Sequence, residues 1–485
     1  SYDESDIDWD GDRVVLRNAI RERHGGAEQD SFRNIDDCLV GEQNSTVSYR
    51  QSHRPVTLHS WSAQIRYTES RARRRLKGYT SDFGGAYRQD ASCPHQRRLV
   101  KVILWDPRKL AKAHANGTAQ LFGGSSAPLN FSRNPDDCAE KCAILFAIAF
   151  QQCIDDLGDA EEFDTVDWAW VCWRLYAKWC GWDVPNDKSP LPSWELRMIG
   201  AITEFGDLVY IPTTISVCPL RQSVILSDLA TVRRTQYLPA RHSESLHGKL
   251  MHCSDQLFGM VGRAHTRAFR RRAHEPGRVN LNPQLQATID WWLNHLATCP
   301  PKEVPLRLED LPYVISYGDG EGGDGRIGAV VVSNILGDLR PRVGSTVVPS
   351  VVRSYWAWQR ELLPSPEDTP DEPYDIQQVE AVCPAAILHG YPQISHCLWL
   401  HFVDNNGALA TLVKGSASVN SDEVILGYTW SQIATRRIWA YFDRVDTNKD
   451  AKISSDEYLE KLHASRLRAV PEGARPDDEP HENRK

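Results

Sequence analysis

The sequence predicts an α+β protein with more than one domain, because its 485 residues suffice for roughly two to four domains. Short apolar runs at 100–105 and 398–403 have the length and composition of strands. Residues 161–182 have helical apolar spacing, and 241–300 are rich in helix formers. Both strands and helices are therefore expected along the whole chain.

Composition narrows the class of protein. Hydrophobic residues make up 41% and charged residues 25% of the chain, which is ordinary for a globular protein. The longest apolar run is far shorter than the ~20 residues of a membrane helix, so no membrane contact is expected. The 12 cysteines include no Cys-x-x-Cys pair, which argues against a zinc ribbon or disulfide framework and favours a reducing compartment. With no visible signal peptide, the expected location is intracellular, in the nucleus or cytoplasm.

The most informative stretch is 151–157, where two adjacent carboxylates, Asp155 and Asp156, follow an apolar run. Neighbouring carboxylates repel each other, so a structure keeps them close mainly when a cation lies between them. Asp-Asp pairs recur elsewhere in the chain, and a solvated turn explains any one of them. This pair differs because an Asp-containing block at 79–88 and a glycine-containing block at 121–131 precede it.

In this order and spacing, the three blocks resemble the palm of a reverse transcriptase, of the retrotransposon type that carries a ribonuclease H domain behind the polymerase. The resemblance covers about residues 31–445. It implies a polymerase right hand of fingers, palm and thumb, followed by a ribonuclease H-like α/β domain. Two departures are Cys153, where the family usually has an aromatic residue, and the lack of a Pro before Gly123.

The resemblance implies a polymerase site that holds two Mg²⁺ ions ~3.5–4 Å apart. Its catalytic ligands would be Asp82, Asp155 and Asp156. The substrates would be an RNA or DNA template-primer and deoxynucleotides.

The resemblance also implies nucleotide-binding residues, namely Tyr87, Gly123 and Lys188. Tyr87 matches the aromatic residue that clashes with a ribose 2′-hydroxyl, and its alternative is a core aromatic. Gly123 belongs to the turn behind the nucleotide. Lys188 matches a lysine near the triphosphate, and its alternative is a surface lysine.

The strongest basic patch lies in the thumb-like region and predicts a nucleic-acid-binding surface. Its members are Arg263, Arg267, Arg270, Arg271 and Arg272. Arginine makes forked contacts to phosphate, which give affinity without sequence choice. The alternative is a solvated helix face.

A second acidic site is implied by the ribonuclease H resemblance. Strands are predicted at 314–320, 327–332 and 398–403, and a helix at 376–388. The family places an Asp in the first strand, a Glu in the first helix and an Asp after the fourth strand, around two Mg²⁺ ions. The matching catalytic residues are Asp319, Glu380 and Asp404. Taken singly, they are explained by a turn, a surface helix position and a helix N-cap.

The segment from Trp439 onward has two interpretations. It is either the last ribonuclease H strand or the entering helix of an EF-hand, and these require different backbones. The EF-hand interpretation gives a Ca²⁺ loop with the ligands Asp446, Asn448, Asp450, Lys452, Ser454 and Glu457. Ala451 stands where the loop expects a glycine, and a left-handed residue there costs about 1–2 kcal/mol.

These patterns predict the following division of the chain: an acidic lead at 1–30, fingers and palm at 31–237, a thumb-like helical region at 238–305, a ribonuclease H-like domain at 306–445, an EF-hand overlapping it at 430–465, and a disordered tail at 466–485. The expected function is RNA-directed DNA polymerisation with a ribonuclease H-like domain. Two alternatives stay open: a calcium-binding protein whose polymerase region is a relic, and an inactive nucleic-acid-binding remnant. The sequence does not fix the oligomeric state.

Overall fold

The part of the chain that the structure describes folds into four β-sheets with helices packed against them. The structure is a computed structural model that describes residues 13–22, 31–38, 44, 56–72, 74–97, 100–106, 108–207, 211–257, 260–275, 277–304, 311–321, 325–362, 375–417 and 420–444. The α+β expectation is therefore confirmed. Every helix within these ranges is too short or too polar to span a bilayer.

The first sheet combines two segments that are distant in sequence. Its strands are β1 (Arg13–Glu22), β2 (Ser31–Asp37), β4 (Val100–Asp106) and β5 (Ala111–Asn116), in the order β2-β1-β4-β5. β1 is antiparallel to β2 and parallel to β4. A short helix, α2 (Pro94–Arg97), precedes β4. The strand predicted at 100–105 is confirmed.

The second sheet carries the first pair of predicted acids. Its strands are β3 (Leu76–Asp82), β6 (Gln151–Cys153) and β7 (Asp156–Glu162), in the antiparallel order β3-β7-β6. The helices around it are α1 (Leu58–Arg71), α3 (Ala127–Phe146) and α4 (Val166–Trp179).

Helix α4 differs from its sequence prediction in its start. It begins at Val166 rather than near 161, because β7 continues to Glu162. Two of the residues that give the segment its helical apolar spacing lie in solvent, with Trp168 72% and Trp179 82% exposed. The opposite face, which includes Trp173, is buried.

The third sheet is an antiparallel ladder beside the second. Its strands are β8 (Glu195–Met198), β9 (Ala201–Glu204), β10 (Thr213–Val217) and β11 (Lys302–Val304), in the order β11-β10-β9-β8. Helix α1 is tied to this sheet, because Trp61 donates a hydrogen bond from Nε1 to Thr203 Oγ1 at 3.0 Å.

A helical region precedes the last sheet and shares a hydrophobic core with it. Its helices are α5 (Pro219–Thr235), α6 (Ala240–Ser254), α7 (Arg267–Ala273) and α8 (Pro283–Thr298). Leu229 of α5 lies in the same core cluster as Trp292 of α8, so α5 packs with the helical region although the predicted boundary places it in the palm. The domain boundaries themselves remain predictions.

The last sheet has five strands in the order β14-β13-β12-β15-β16. They are β12 (Tyr313–Glu321), β13 (Arg326–Ser333), β14 (Arg342–Val347), β15 (Leu398–Val403) and β16 (Trp439–Arg444). Its helices are α9 (Ser350–Leu362), α10 (Asp375–Gly390), α11 (Asn406–Lys414) and α12 (Asn420–Thr435). β12, β13 and β14 are antiparallel, whereas β15 and β16 run parallel to β12. The predicted strands and helix of this region are confirmed.

The segment with two interpretations is a strand as far as the structure describes it. β16 pairs in parallel with β15 over its whole length, from Trp439 to Arg444. The entering helix that the EF-hand interpretation requires is therefore wrong for these residues. The proposed calcium ligands, from Asp446 to Glu457, lie outside the described residues.

Candidate active sites

The adjacent aspartates of the first candidate site lie at a tight hairpin between β6 and β7. Cys153 pairs with Asp156, so Ile154 and Asp155 alone form the connection. Ile154 has a φ of 61°, and this left-handed conformation costs a residue other than glycine about 1–2 kcal/mol of conformational energy. Gln152 donates a hydrogen bond from Nε2 to the Ile154 carbonyl oxygen at 2.9 Å. Strain of this kind persists where the surrounding structure holds it; here the Gln152 hydrogen bond and the pairing of Cys153 with Asp156 hold the turn that carries Asp155.

The third acid of this site comes from the neighbouring strand. Asp82 ends β3 directly opposite Asp156, and directly opposed residues project from the same face of a sheet. Partial burial, together with the charges of Asp155 and Asp82, raises the pKa of Asp156 to about 6. The sheet thus brings the predicted polymerase acids to one edge.

A lysine already neutralises part of this acidic edge. Lys188 lies in a short 3₁₀ turn, and its Nζ is 2.7 Å from Asp82 Oδ2. The other carboxylate oxygen, Oδ1, is buried and accepts no hydrogen bond from the described residues. The turn is anchored through Ser189, whose Oγ is 2.6 Å from Ser81 Oγ on β3. Asp82 therefore offers one oxygen to Lys188 and leaves the other available for a cation.

The other predicted nucleotide-binding residues lie beside the hairpin. The pKa of Tyr87 is raised by burial and by the nearby charge of Asp155, which places the phenol close to the hairpin tip. Its ring centroid lies 5.5 Å from that of Phe122 and 5.4 Å from that of Phe131. Gly123 has a φ of 126°, and a Cβ there would lie 2.1 Å from the Asp36 carbonyl oxygen. Only glycine fits this turn without displacing β2.

Most of the predicted nucleic-acid-binding arginines are engaged within the protein. Arg263 donates to Asp255 at 2.7 Å, and Arg272 is buried and donates to main-chain carbonyl oxygens. Arg267 and Arg271 both lie near Glu423 of α12, with N–O separations of 3.3 and 3.6 Å. Arg270 is exposed. Nucleic-acid binding by this group remains a prediction, and Arg270 is the member whose placement suits it best.

The second candidate site lies at one edge of the last sheet. Asp319 belongs to β12, Glu380 to α10, and Asp404 directly follows β15. One oxygen of each carboxylate lies within 4.8 Å of the others. Burial raises the pKa of Glu380 to about 8. The charge of Asp404, a hydrogen bond to Asp404 and the charge of Asp319 add to this shift.

Two glycines of β12, Gly318 and Gly320, allow this convergence, and neither was among the predicted site residues. A Cβ on Gly320 would lie 2.9 Å from Glu380 Cγ and 3.0 Å from Glu380 N. A Cβ on Gly318 would lie 2.8 Å from Cys383 Cβ. Alternate glycines on one face of a strand indicate a close backbone approach. The glycines at 318 and 320 could therefore have predicted that a helix packs closely against this strand.

The residues of the second site fit a divalent cation, whereas Asp82, Asp155 and Asp156 do not form such a group, with ligand atoms within 4.8 Å of one another, in the described part of the chain. Carboxylate oxygens are the donors that Mg²⁺, Mn²⁺ and Ca²⁺ prefer. In the second site, Asp319 and Asp404 are exposed and Glu380 is buried, so the cluster opens to solvent on one side. Asn405 donates a main-chain hydrogen bond to Glu380 Oε2 at 3.2 Å, which orients the buried carboxylate toward the other acids. In the first site, the buried Asp82 Oδ1 accepts no hydrogen bond from the described residues, and this oxygen could therefore contact a cation.

No protein-family model matches the chain, and a search of curated proteins returns no match. The chain is similar to solved structures of the foamy viral protease–reverse transcriptase. The dRH form in complex with double-stranded DNA has a TM-score of 0.46 and 12% identity, over 90% of this chain and 66% of that one. The complex with an RNA/DNA hybrid has a TM-score of 0.45 and 12% identity, over 97% and 53%. A further complex with double-stranded DNA has a TM-score of 0.43 and 12% identity, over 90% and 78%. The chain thus spans about two thirds of the first of these proteins and about half of the second.

Proposed function

We propose that the chain is an RNA-directed DNA polymerase with a ribonuclease H-like second active site. The observation that carries the ribonuclease H-like half of the proposal is the convergence of Asp319, Glu380 and Asp404, with one oxygen of each within 4.8 Å of the others. These residues come from β12, from α10 and from the end of β15, so only the fold brings them together. A carboxylate cluster at a sheet edge suits phosphodiester hydrolysis assisted by two metal ions, and its substrate would be the RNA strand of a hybrid.

The polymerase half of the proposal is supported by the hairpin. Asp155 and Asp156 lie beside Asp82 at the edge of a small antiparallel sheet. These acids would hold the divalent ions against which the primer 3′-hydroxyl and the nucleotide triphosphate are oriented. Tyr87 would meet the 2′ position of the sugar, and the Lys188 ammonium would supply positive charge for the phosphates.

Magnesium ions at either site would lower the pKa of the attacking oxygen and neutralise charge on the phosphate. The protein's own contribution is to hold the carboxylates that place the reacting groups. Gln152 holds the Ile154 carbonyl oxygen of the hairpin by a hydrogen bond, and the Asn405 amide donates to Glu380. Both sites therefore have acids whose positions are set before substrate arrives.

The test is primer extension on an RNA template with Mg²⁺, comparing the protein with Asp155→Ala plus Asp156→Ala. The matched control is Asp137→Ala, which removes an exposed carboxylate paired with Lys141 on α3. We expect extension by the protein and the control, and none by the double variant.

Extension that survives in the double variant would reject the assigned site. Absence of extension by all proteins would reject the polymerase. If such a protein still bound hybrid in a filter assay, it would be an inactive nucleic-acid-binding remnant.

A further inference from the structure

Asp36 is a buried carboxylate that no part of the proposed mechanism uses. It lies in β2, and its side chain is 1% exposed. Arg17 on β1 donates to it twice, from Nε to Oδ1 at 2.6 Å and from Nη2 to Oδ2 at 3.2 Å. A buried carboxylate is costly unless it is paired and hydrogen-bonded. The ion pair explains how Asp36 is tolerated, and its remaining contacts indicate what it does.

Those contacts hold one residue of the turn behind the nucleotide site. The Phe122 amide donates to Asp36 Oδ2 at 3.1 Å, and the Asp36 amide donates to the Phe122 carbonyl oxygen at 2.8 Å. Asp36 thus binds both main-chain groups of Phe122. Gly123 follows directly, and the space over it is filled by the Asp36 carbonyl oxygen.

A second anchor holds the far side of the same turn. Asn44 donates from Nδ2 to the Gly123 carbonyl oxygen at 3.2 Å. Its Oδ1 accepts a hydrogen bond from the Ser125 amide at 2.7 Å. The turn is therefore held at two places, by Asp36 of the first sheet and by Asn44, and these bonds fix the main chain from which the ring of Phe122 projects.

The Phe122 ring forms one side of the pocket around Tyr87. The two ring centroids are 5.5 Å apart with planes tilted by 53°. On the other side, the ring of Phe131 is 5.4 Å from Tyr87 at 85°, and Phe131 is fully buried. Because Phe131 is fixed by the core, the position of Tyr87 depends on where the turn holds Phe122.

We propose that Asp36 is a positioning residue for sugar discrimination, acting through Phe122 to fix Tyr87 against the incoming nucleotide. The inference rests on the proposed polymerase function. It adds a specificity determinant on β2, in a different sheet from the carboxylates of the hairpin. Arg17 takes part by orienting the Asp36 carboxylate through its two hydrogen bonds, so that Oδ2 stays aimed at the Phe122 amide.

The experiment measures kcat/KM for a deoxynucleotide and for the matching ribonucleotide during primer extension. In Asp36→Ala, we expect the deoxy-over-ribo ratio to fall about tenfold, within the range that a displaced pocket wall produces. Deoxynucleotide kcat/KM should fall much less. Phe122→Leu, which leaves the main-chain hydrogen bonds of Asp36 in place, should lower the ratio in the same direction. Asp137→Ala is the matched control and should leave the ratio unchanged.

A double-mutant cycle separates positioning from general damage to the fold, because residues that act through one another are not additive. In a Tyr87→Ala background, Asp36→Ala should cause no further fall in the ratio. Equal losses for both nucleotides, or the same tenfold fall without Tyr87, would overturn the inference. If Asp36→Ala does not fold, Asp36→Asn decides through the same cycle, because it keeps the shape of the side chain and replaces one carboxylate oxygen by an amide nitrogen; a smaller fall in the ratio that disappears without Tyr87 is expected, and an unchanged ratio would overturn the inference. A protein that extends no primer would overturn the polymerase itself, and an active protein with an unchanged ratio would overturn only the role of Asp36.

Discussion

The two acidic sites differ in how they manage the repulsion of their carboxylates. At the edge of the last sheet, Asp319, Glu380 and Asp404 converge within 4.8 Å, and the pKa of Glu380 rises to about 8. At the hairpin, the repulsion between the carboxylates is smaller, since Lys188 pairs with Asp82 at 2.7 Å. The cluster of the last sheet therefore relies on a proton or an external cation, whereas the hairpin site contains a cation of its own.

This difference has a structural origin. Glu380 is forced toward the other acids because Gly318 and Gly320 let α10 approach β12 closely. Asp82 and Lys188 are both partly exposed, at 31% and 42%, and exposed ion pairs contribute little to stability. We therefore expect the two sites to respond differently to mutation, to metal ions and to pH.

The largest effect should come from removing one carboxylate at each site in turn. Glu380→Gln should reduce cleavage of the RNA strand of a hybrid by about 100-fold or more, since loss of metal-assisted charge stabilisation is worth several kcal/mol. Primer extension by the same variant should be unaffected. Asp156→Asn should show the reverse pattern. Gel assays of cleavage and extension on one protein preparation measure both, and equal loss of both activities in either variant would show that the sites are not independent.

The next effect tests whether glycine packing creates the tighter cluster. Gly320→Ala places a Cβ 2.9 Å from Glu380 Cγ, and overpacking of this kind costs about 1–3 kcal/mol. Cleavage should fall with stability, because α10 must move to make room. The matched control is Gly328→Ala on the adjacent strand β13, where a Cβ meets no atom within 4 Å. Denaturant unfolding and cleavage rates are the measurements; equal behaviour of the two variants would contradict the packing argument.

The sequence predicted β12, β13, β15 and α10 of the last region from their apolar patterns, but not β14. The acids Asp319, Glu380 and Asp404 were predicted from the resemblance to ribonuclease H and not from a pattern. Strand 398–403 matches β15, and Asp404 follows it as expected. The sequence did not predict which way side chains face. Trp168 and Trp179 have the spacing of a buried stripe, yet they point to solvent, since periodicity defines a face without saying what covers it. In the same way, clustered arginines do not reveal that Glu423, about 150 residues away, pairs with Arg267. The role of Asp36 was equally hidden, because it depends on contacts with a turn distant in sequence.

A third prediction examines the internal cation of the hairpin site. Lys188→Met should raise the affinity of Mn²⁺ for this site about tenfold, because a bound ion no longer competes with an ammonium group for Asp82. Glu380→Gln serves as the background, so that the second site binds weakly. Electron paramagnetic resonance of free Mn²⁺ gives the affinity. Lys178→Met, on the exposed end of α4, is the matched control and should change nothing; unchanged affinity in Lys188→Met would mean that the ion pair does not guard the site.

The smallest effect concerns the pH dependence of stability, which should differ between the last sheet and the region of α1. Burial lowers the pKa of His401 to about 3, and its Nδ1 lies 2.8 Å from Ser316 Oγ between β15 and β12. Burial raises the pKa of Glu69 on α1 to about 7. The folded state binds fewer protons at His401 than the unfolded chain between about pH 3 and the ordinary histidine pKa, so this residue destabilises the last sheet as pH falls. Glu69 binds more protons when folded, from its ordinary pKa up to about 7, so it stabilises the region of α1 as the pH falls through that range. His59 on the same helix, whose pKa is lowered by burial to about 4, acts in the opposite direction.

Lowering the pH from 7 to 5.5 should therefore cost the last sheet about 1 kcal/mol through His401, while the raised pKa of Glu380 contributes stability in the opposite direction. The part due to His401 is isolated by comparing the protein with His401→Phe, whose ring fits beside Trp399 and Phe442. Hydrogen exchange resolved by segment should show that the variant loses about 1 kcal/mol less protection in β12 and β15 than the unmodified protein over this change of pH, with no difference in α1. An equal response of the two proteins in β12 and β15 would contradict the role of His401, and an equal difference in α1 would show that the two regions unfold as one unit.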